Sequence, residues 1–189
     1  LDPRKDVDIP RMFADVRRAI STDHDIGVHA VVLVKRGTID KTTSGKIMRR
    51  ATGKRFDQLS LKVVAASISE DEIDDPHDEA DRVEARARLA RLPKEERRRA
   101  VVDFIAENVG EKLGVESNAL DWSQWLGKLG LRYADVRTLL RQVSRAFDTD
   151  ISMEDVLKAP TLETIAAAVA PSVAPRPMVE PPTMGLPPV

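Results

Sequence analysis

Cysteine is absent from all 189 residues, which removes disulfides, thiolate nucleophiles and cysteine-based zinc sites from consideration. Aromatic residues make up only 4% of the chain, and a single tyrosine is among them. The three histidines, His24, His29 and His77, share no metal-ligand spacing, so no metal site is expected. No apolar run reaches the roughly 20 residues that a membrane-spanning helix needs, and no signal-peptide-like segment follows the N-terminus. A cytoplasmic protein without a membrane span is the resulting expectation. Net charge is small as well, −1, so no overall field draws the chain to nucleic acid or an anionic membrane.

What is present is arranged in blocks. Residues 1–65 carry 14 Lys/Arg against 8 Asp/Glu, residues 66–81 carry 8 acids and no Lys/Arg, and the remainder sums to about +1. That pattern reads as a basic module, an acidic linker and a near-neutral module. The linker "SEDEIDDPHDEAD" is too polar to bury and is broken by Pro76, so the two modules are expected to move independently. A short charged helix over 78–92 would complete a linker region spanning 66–93. Residues 171–189 hold seven prolines in 19 positions and read as an extended tail. The chain opens on Leu1 and its first methionine is Met12, which reads as a piece of a longer protein or an unusual start.

Local patterns fill in the modules. Asp8 and Pro10 suit a helix start, followed by Met12, Phe13, Val16 and Ile20 on one stripe. The run "VHAVVLVKRG" at 28–37 is β-branched and short, a buried strand. A helix from about Ile47 to Leu59 follows, weakened by Gly53. In the second module an apolar face runs from Val101 to Leu113 and ends at Gly114. A second stripe uses Val136, Leu139, Leu140, Val143 and Phe147. Met153, Val156 and Leu157 suit a short third helix, and Pro160-Thr161 opens a fourth. The fold class is therefore α+β: a small α/β module over 1–65 joined to a four-helix bundle over 94–170.

Between strand and helix lies "GTIDKTTSGKIMRR", residues 37–50. Eight cations against one acid over 28–55 invite an anion. A P-loop is excluded: it needs Gly five residues before the Gly-Lys pair and Ser or Thr after the lysine, where this chain has Asp40 and Ile47. A single-strand nucleic-acid surface usually interleaves aromatics with its cations, and none occurs here. A solvated basic face stays open on spacing alone.

The stretch "VHAVVLVKRGTIDKTTSGKIMRRA" closely resembles the C-terminal lid of adenylate-forming enzymes, particularly fatty acyl-AMP ligases, over about residues 1–60. In that family the turn reads Pro-Lys-Thr-x-Ser-Gly-Lys-Ile, and Asp40 stands here where proline is usual. The resemblance implies that Lys46 is a catalytic lysine on a mobile lid, contacting the carboxylate and α-phosphate as the acyl-adenylate forms. Thr42, Thr43, Ser44 and Gly45 would support that phosphate-facing loop. ATP and magnesium belong to the complete enzyme. The large adenylating domain that precedes the lid in the family is missing from these residues, so the chain alone is expected to bind no cofactor.

Residues 88–114, with "LGKLGLRYADVRTLLRQVSRAF" and "DISMEDVLKAPTLETIAAAVA", resemble the acyl carrier domains of polyketide synthases. There, Leu-Gly-Leu is followed by Asp-Ser-Leu, and the serine carries phosphopantetheine. This chain reads Leu129-Gly130-Leu131-Arg132-Tyr133-Ala134. The expected acid is Arg132 and the expected serine is Tyr133, so no phosphopantetheine is expected, and Tyr133 reads as a surface cap on the bundle. Two functions remain. One is the C-terminal fragment of a fatty acyl-AMP ligase, inactive alone and working with polyketide or lipid synthase components. The other is a non-catalytic module that docks on such enzymes.

Overall fold

A computed structural model describes residues 7–69, 87 and 91–169. The architecture is mixed, mostly helical with one two-stranded sheet. Most of the expected helix over 78–92, most of the acidic linker and the proline-rich tail lie outside the described residues.

The first module opens with α1, Ile9–His24. Asp8 Oδ1 accepts from the Arg11 N–H at 3.0 Å and Pro10 sits in the first turn, so the start is set by the residues that the sequence singles out. Strand β1, Ala30–Val34, pairs antiparallel with β2, Val63–Ile68, in the register Ala30↔Ile68 to Val34↔Val63. Strand β2 has no counterpart among the expected elements. It runs into the stretch read as linker, because its small, partly β-branched residues find hydrogen-bond partners on β1 rather than in their own neighbourhood. Arg17 ties α1 to β2 and to the chain just before β1: its guanidinium donates to Ser67 O at 2.6 Å, to Ser69 Oγ at 2.6 Å and to the Val28 carbonyl. Helix α2, Arg49–Asp57, is shorter than expected at both ends but tolerates Gly53.

The second module holds α3, Lys94–Leu113, ending at Gly114 in a left-handed cap with φ 68°. A 3-10 turn at Ser117–Ala119 and the short α4, Leu126–Leu129, fill the loop of the two tryptophans. Then come α5, Tyr133–Phe147, α6, Met153–Lys158, and α7, Leu162–Val169. Ile105, Leu126, Val136, Val143, Val156, Leu162 and Ile165 are fully buried between these helices.

The core does not stop at the module boundary. Leu59, Leu61 and Val63 belong to the same buried cluster as α3 and α5 to α7. Leu59 takes left-handed backbone, φ 52°, as the chain leaves α2, and its side chain is 3% exposed in that cluster. The expectation of independent modules is thus corrected. An acidic connection says nothing about the faces it joins, and those faces are apolar enough to pack.

Candidate functional site

The turn after β1 is laced by its own residues. Thr42 N–H donates to Lys46 O at 2.8 Å, Gly45 N–H to Thr42 O at 2.8 Å, and Lys46 N–H to Thr42 Oγ1 at 3.1 Å. Thr42 Oγ1 and Ser44 Oγ share a hydrogen bond at 2.9 Å. Lys41 and Ile47 form an antiparallel bridge that closes the loop into a small hairpin. Gly45 sits at φ 81°, which a side chain rarely tolerates, and open space surrounds the position of a Cβ. The reason for glycine is thus backbone conformation. Thr43 is exposed and takes no part in the lacing.

Asp40 is held rather than free. Arg55 Nη1 reaches its two carboxylate oxygens at 3.1 and 3.2 Å and also donates to Thr38 O at 2.6 Å. The Asp40 carbonyl accepts from Met48 N–H at 3.0 Å. Arg55 therefore clips the near arm of the turn to α2. Within the sequence it is one cation among eight, and the single acid in that run was the signal for its partner. The pair is partly solvated and contributes on the order of 0.2–1 kcal/mol, enough to bias a turn but not to build a domain.

Lys46 projects from this frame among exposed residues. It lines a shallow, open depression with Ile47, Met48, Arg49, Arg50 and Ala51, and Ile47 is 56% exposed. The arrangement sets a cation beside exposed apolar surface.

Tyr133 lies elsewhere. It begins α5 and is 9% exposed, so the expectation of a surface cap is corrected. Its hydroxyl lies 3.0 Å from His29 Nε2, and its ring packs against Phe56 with centroids 4.9 Å apart. The first module has folded over it. Arg132 is exposed and makes a long ion pair with Asp57 at 3.8 Å. Its N–H donates to Asp135 Oδ2 at 2.9 Å, while Lys112 Nζ holds Asp135 Oδ1 at 2.8 Å. The Lys112 bond, helped by the Arg132 N–H, keeps the Asp135 carboxyl below the usual aspartate range. Lys46 and Tyr133 are thus not brought into one site. Among the described residues, no cluster of three acidic or histidine side chains is placed to hold a metal, and no helix is long and apolar enough to cross a membrane.

Residues 103–169 match the family model described as phosphopantetheine attachment site. This segment is a carrier-type domain. Over 71 residues the chain is 39% identical to the medium-chain-fatty-acid–[acyl-carrier-protein] ligase JamA of Moorena producens (strain JHB). That stretch takes 35% of this chain and 12% of that protein, so the chain spans only a small part of the relative's length. No solved structure matches the chain.

The carrier domain meets the first module at a second point, which sequence reasoning missed. Glu154, on α6, accepts the Ile68 N–H of β2 at 2.9 Å with one oxygen and the Ser152 hydroxyl at 2.8 Å with the other. Burial pushes this carboxyl up, but the Ile68 N–H and the Ser152 hydroxyl pull it down by more, leaving it below the usual glutamate range. A carboxyl lowered in the folded state stabilises fully above the ordinary glutamate range, and that contribution fades as pH falls through the lowered value. The Ile68 amide resonance of the whole chain should therefore shift on acidification through that window, and Glu154→Gln should remove the shift. An identical pH response in the two proteins would show that the carboxylate does not hold the strand.

Proposed function

We propose that this chain is the C-terminal part of a fatty acyl-AMP ligase, in which residues up to about 65 act as the lid, joined to a carrier domain without a prosthetic arm. The observation that carries the reading is the laced turn that holds exposed Lys46 on its returning arm, clipped to α2 by Arg55. The partial likeness to an acyl-carrier-protein ligase supports it. The reaction joins a carboxylate oxygen to the α-phosphorus of ATP and expels pyrophosphate. Two anions approach and negative charge gathers at phosphorus. An ammonium placed there stabilises the transition state more than the ground state. Lysine suits the task as a compact point charge on a long stem. The exposed Ile47 and Met48 beside it would face the apolar part of the pocket once the lid closes on the adenylating domain.

The carrier domain is read as silent. Arm attachment needs a primary hydroxyl on a short side chain at the start of α5. A phenol stands there, hydrogen-bonded to His29 and beneath Phe56. These surroundings do not fit a phosphopantetheine arm, and no step is assigned to one. Partners would be the adenylating domain and components of lipid or polyketide synthesis, in a cytoplasmic setting.

The test is ATP–pyrophosphate exchange with a panel of fatty acids. The 189-residue chain is expected to show none, because the Lys46 surface is a single wall with no adenine or acid site opposite it among the described residues. Exchange above that of a Lys46→Ala control would overturn the reading.

A further inference from the structure

We infer that the chain seals its own carrier domain: the first module occupies the face of the carrier on which an arm would be attached and read, making lid and carrier one body. The inference rests on the reading of Tyr133 as the arm position, and on a seam that the structure shows independently of it.

The seam has three kinds of contact, each using residues from both modules. At its centre, Phe56 and His29 enclose the Tyr133 ring and hydroxyl. At one side Glu154 takes the last N–H of β2, and at the other Arg132 pairs with Asp57. The third contact is a close backbone approach. A Cβ on Gly127 would lie 1.7 Å from the Gln58 carbonyl oxygen and 2.9 Å from its carbon. No side chain fits there, and the obstacle is backbone, which cannot rotate away. Gly127 does not have positive φ, so its own conformation does not demand glycine. It lies within α4, where alanine would be the better helix former. Glycine at 127 is therefore required by the neighbour, not by the helix. The apolar cluster that joins Leu59, Leu61 and Val63 to the carrier helices continues the same seam.

A consequence follows for access. An enzyme that modifies or reads a carrier approaches the start of the helix that bears the arm. Here that point is under Phe56 of α2 and His29, just before β1, of the same chain, so an approaching enzyme meets only the open fraction of the molecules, and its apparent affinity falls by that fraction. A serine at 133 would by itself still be covered.

The experiment uses the full chain, whose lack of cysteine leaves introduced thiols as the sole labels. Met48→Cys on the first module and Gln142→Cys on α5 carry spin labels, and the distance distribution between them is measured with and without Gly127→Ala. One narrow distance is expected in the parent and a broad distribution with Gly127→Ala. A broad parent distribution, or a narrow one that Gly127→Ala leaves unchanged, overturns the seam. The same proteins with Tyr133→Ser, without thiols, are then incubated with coenzyme A and a broad-specificity phosphopantetheinyl transferase and weighed over time. Addition of Gly127→Ala is expected to speed the mass gain by about tenfold or more, in proportion to the open population. Fast labelling of Tyr133→Ser while its distance stays narrow overturns the seal. If Tyr133→Ser alone broadens the distance, it must label as fast as the double variant. A double variant that opens and still takes no arm overturns the reading of position 133, and the seal as a block on the arm goes with it, while the seam itself stands on the distances.

Discussion

In a chain joined to a complete adenylating domain, Lys46→Ala is expected to slow acyl-AMP formation by about 10²–10³-fold while ATP binding stays nearly intact. The size follows from the role: one placed charge at a reacting centre acts on the transition state and little on the ground state. The turn itself should survive the change, because its lacing uses the Lys46 backbone and the side chains of Thr42 and Ser44, not the lysine ammonium. Lys41→Ala is the matched control. Lys41 lies on the outgoing arm of the hairpin, bridged to Ile47 through the backbone, whereas Lys46 lies on the returning arm. Single-turnover formation of acyl-AMP and nucleotide binding are measured side by side. Equal losses at positions 41 and 46 would mean that overall basicity, rather than a placed ammonium, carries the effect.

The second large effect concerns stability. Ile105 is fully buried in the middle of α3. Ile105→Ala removes apolar contacts and leaves a cavity that packed helices close incompletely, at a cost of about 2–5 kcal/mol. For a cooperative unit that spans both modules, each kcal/mol lowers the melting temperature by roughly 2–4 °C. Because Leu59, Leu61 and Val63 share the cluster with Ile105, the loss should appear in probes of both modules. Val64→Ala, at a position 50% exposed on β2, should change stability by less than about 0.5 kcal/mol. A melting curve in which Ile105→Ala affects the carrier alone would show that the shared core is not energetically shared.

Some of this protein was decided locally and could be read without the fold. The start of α1 needs only Asp8 and Pro10, and the turn around Lys46 needs only hydrogen bonds between residues a few positions apart, so sequence spacing carries both. The helices of the carrier domain announce themselves by stripes such as Val136, Leu139, Leu140, Val143 and Phe147, since an apolar face at helical period has nowhere to go but a core. Gly45 is a visible part of that turn in the sequence, and its φ of 81° is what calls for glycine there.

Other features have no local signature. Strand β2 is held by a partner more than two dozen positions earlier in the chain, and "VVAASI" alone shows neither a clear alternation nor a turn at its end. The clip from Arg55 to Asp40 spans 15 positions within a run of like charges, where one cation looks like another. Tyr133 and His29 are 104 residues apart, and Ile68 and Glu154 are 86 apart. Composition and periodicity describe which face of an element is apolar, but not which other face will cover it. The sequence by itself therefore determined the lysine-bearing turn and the carrier helices. Only tertiary packing decided that the two lie in one body, because that depends on the fit of surfaces brought together by the whole chain, down to a glycine that yields to the backbone of Gln58.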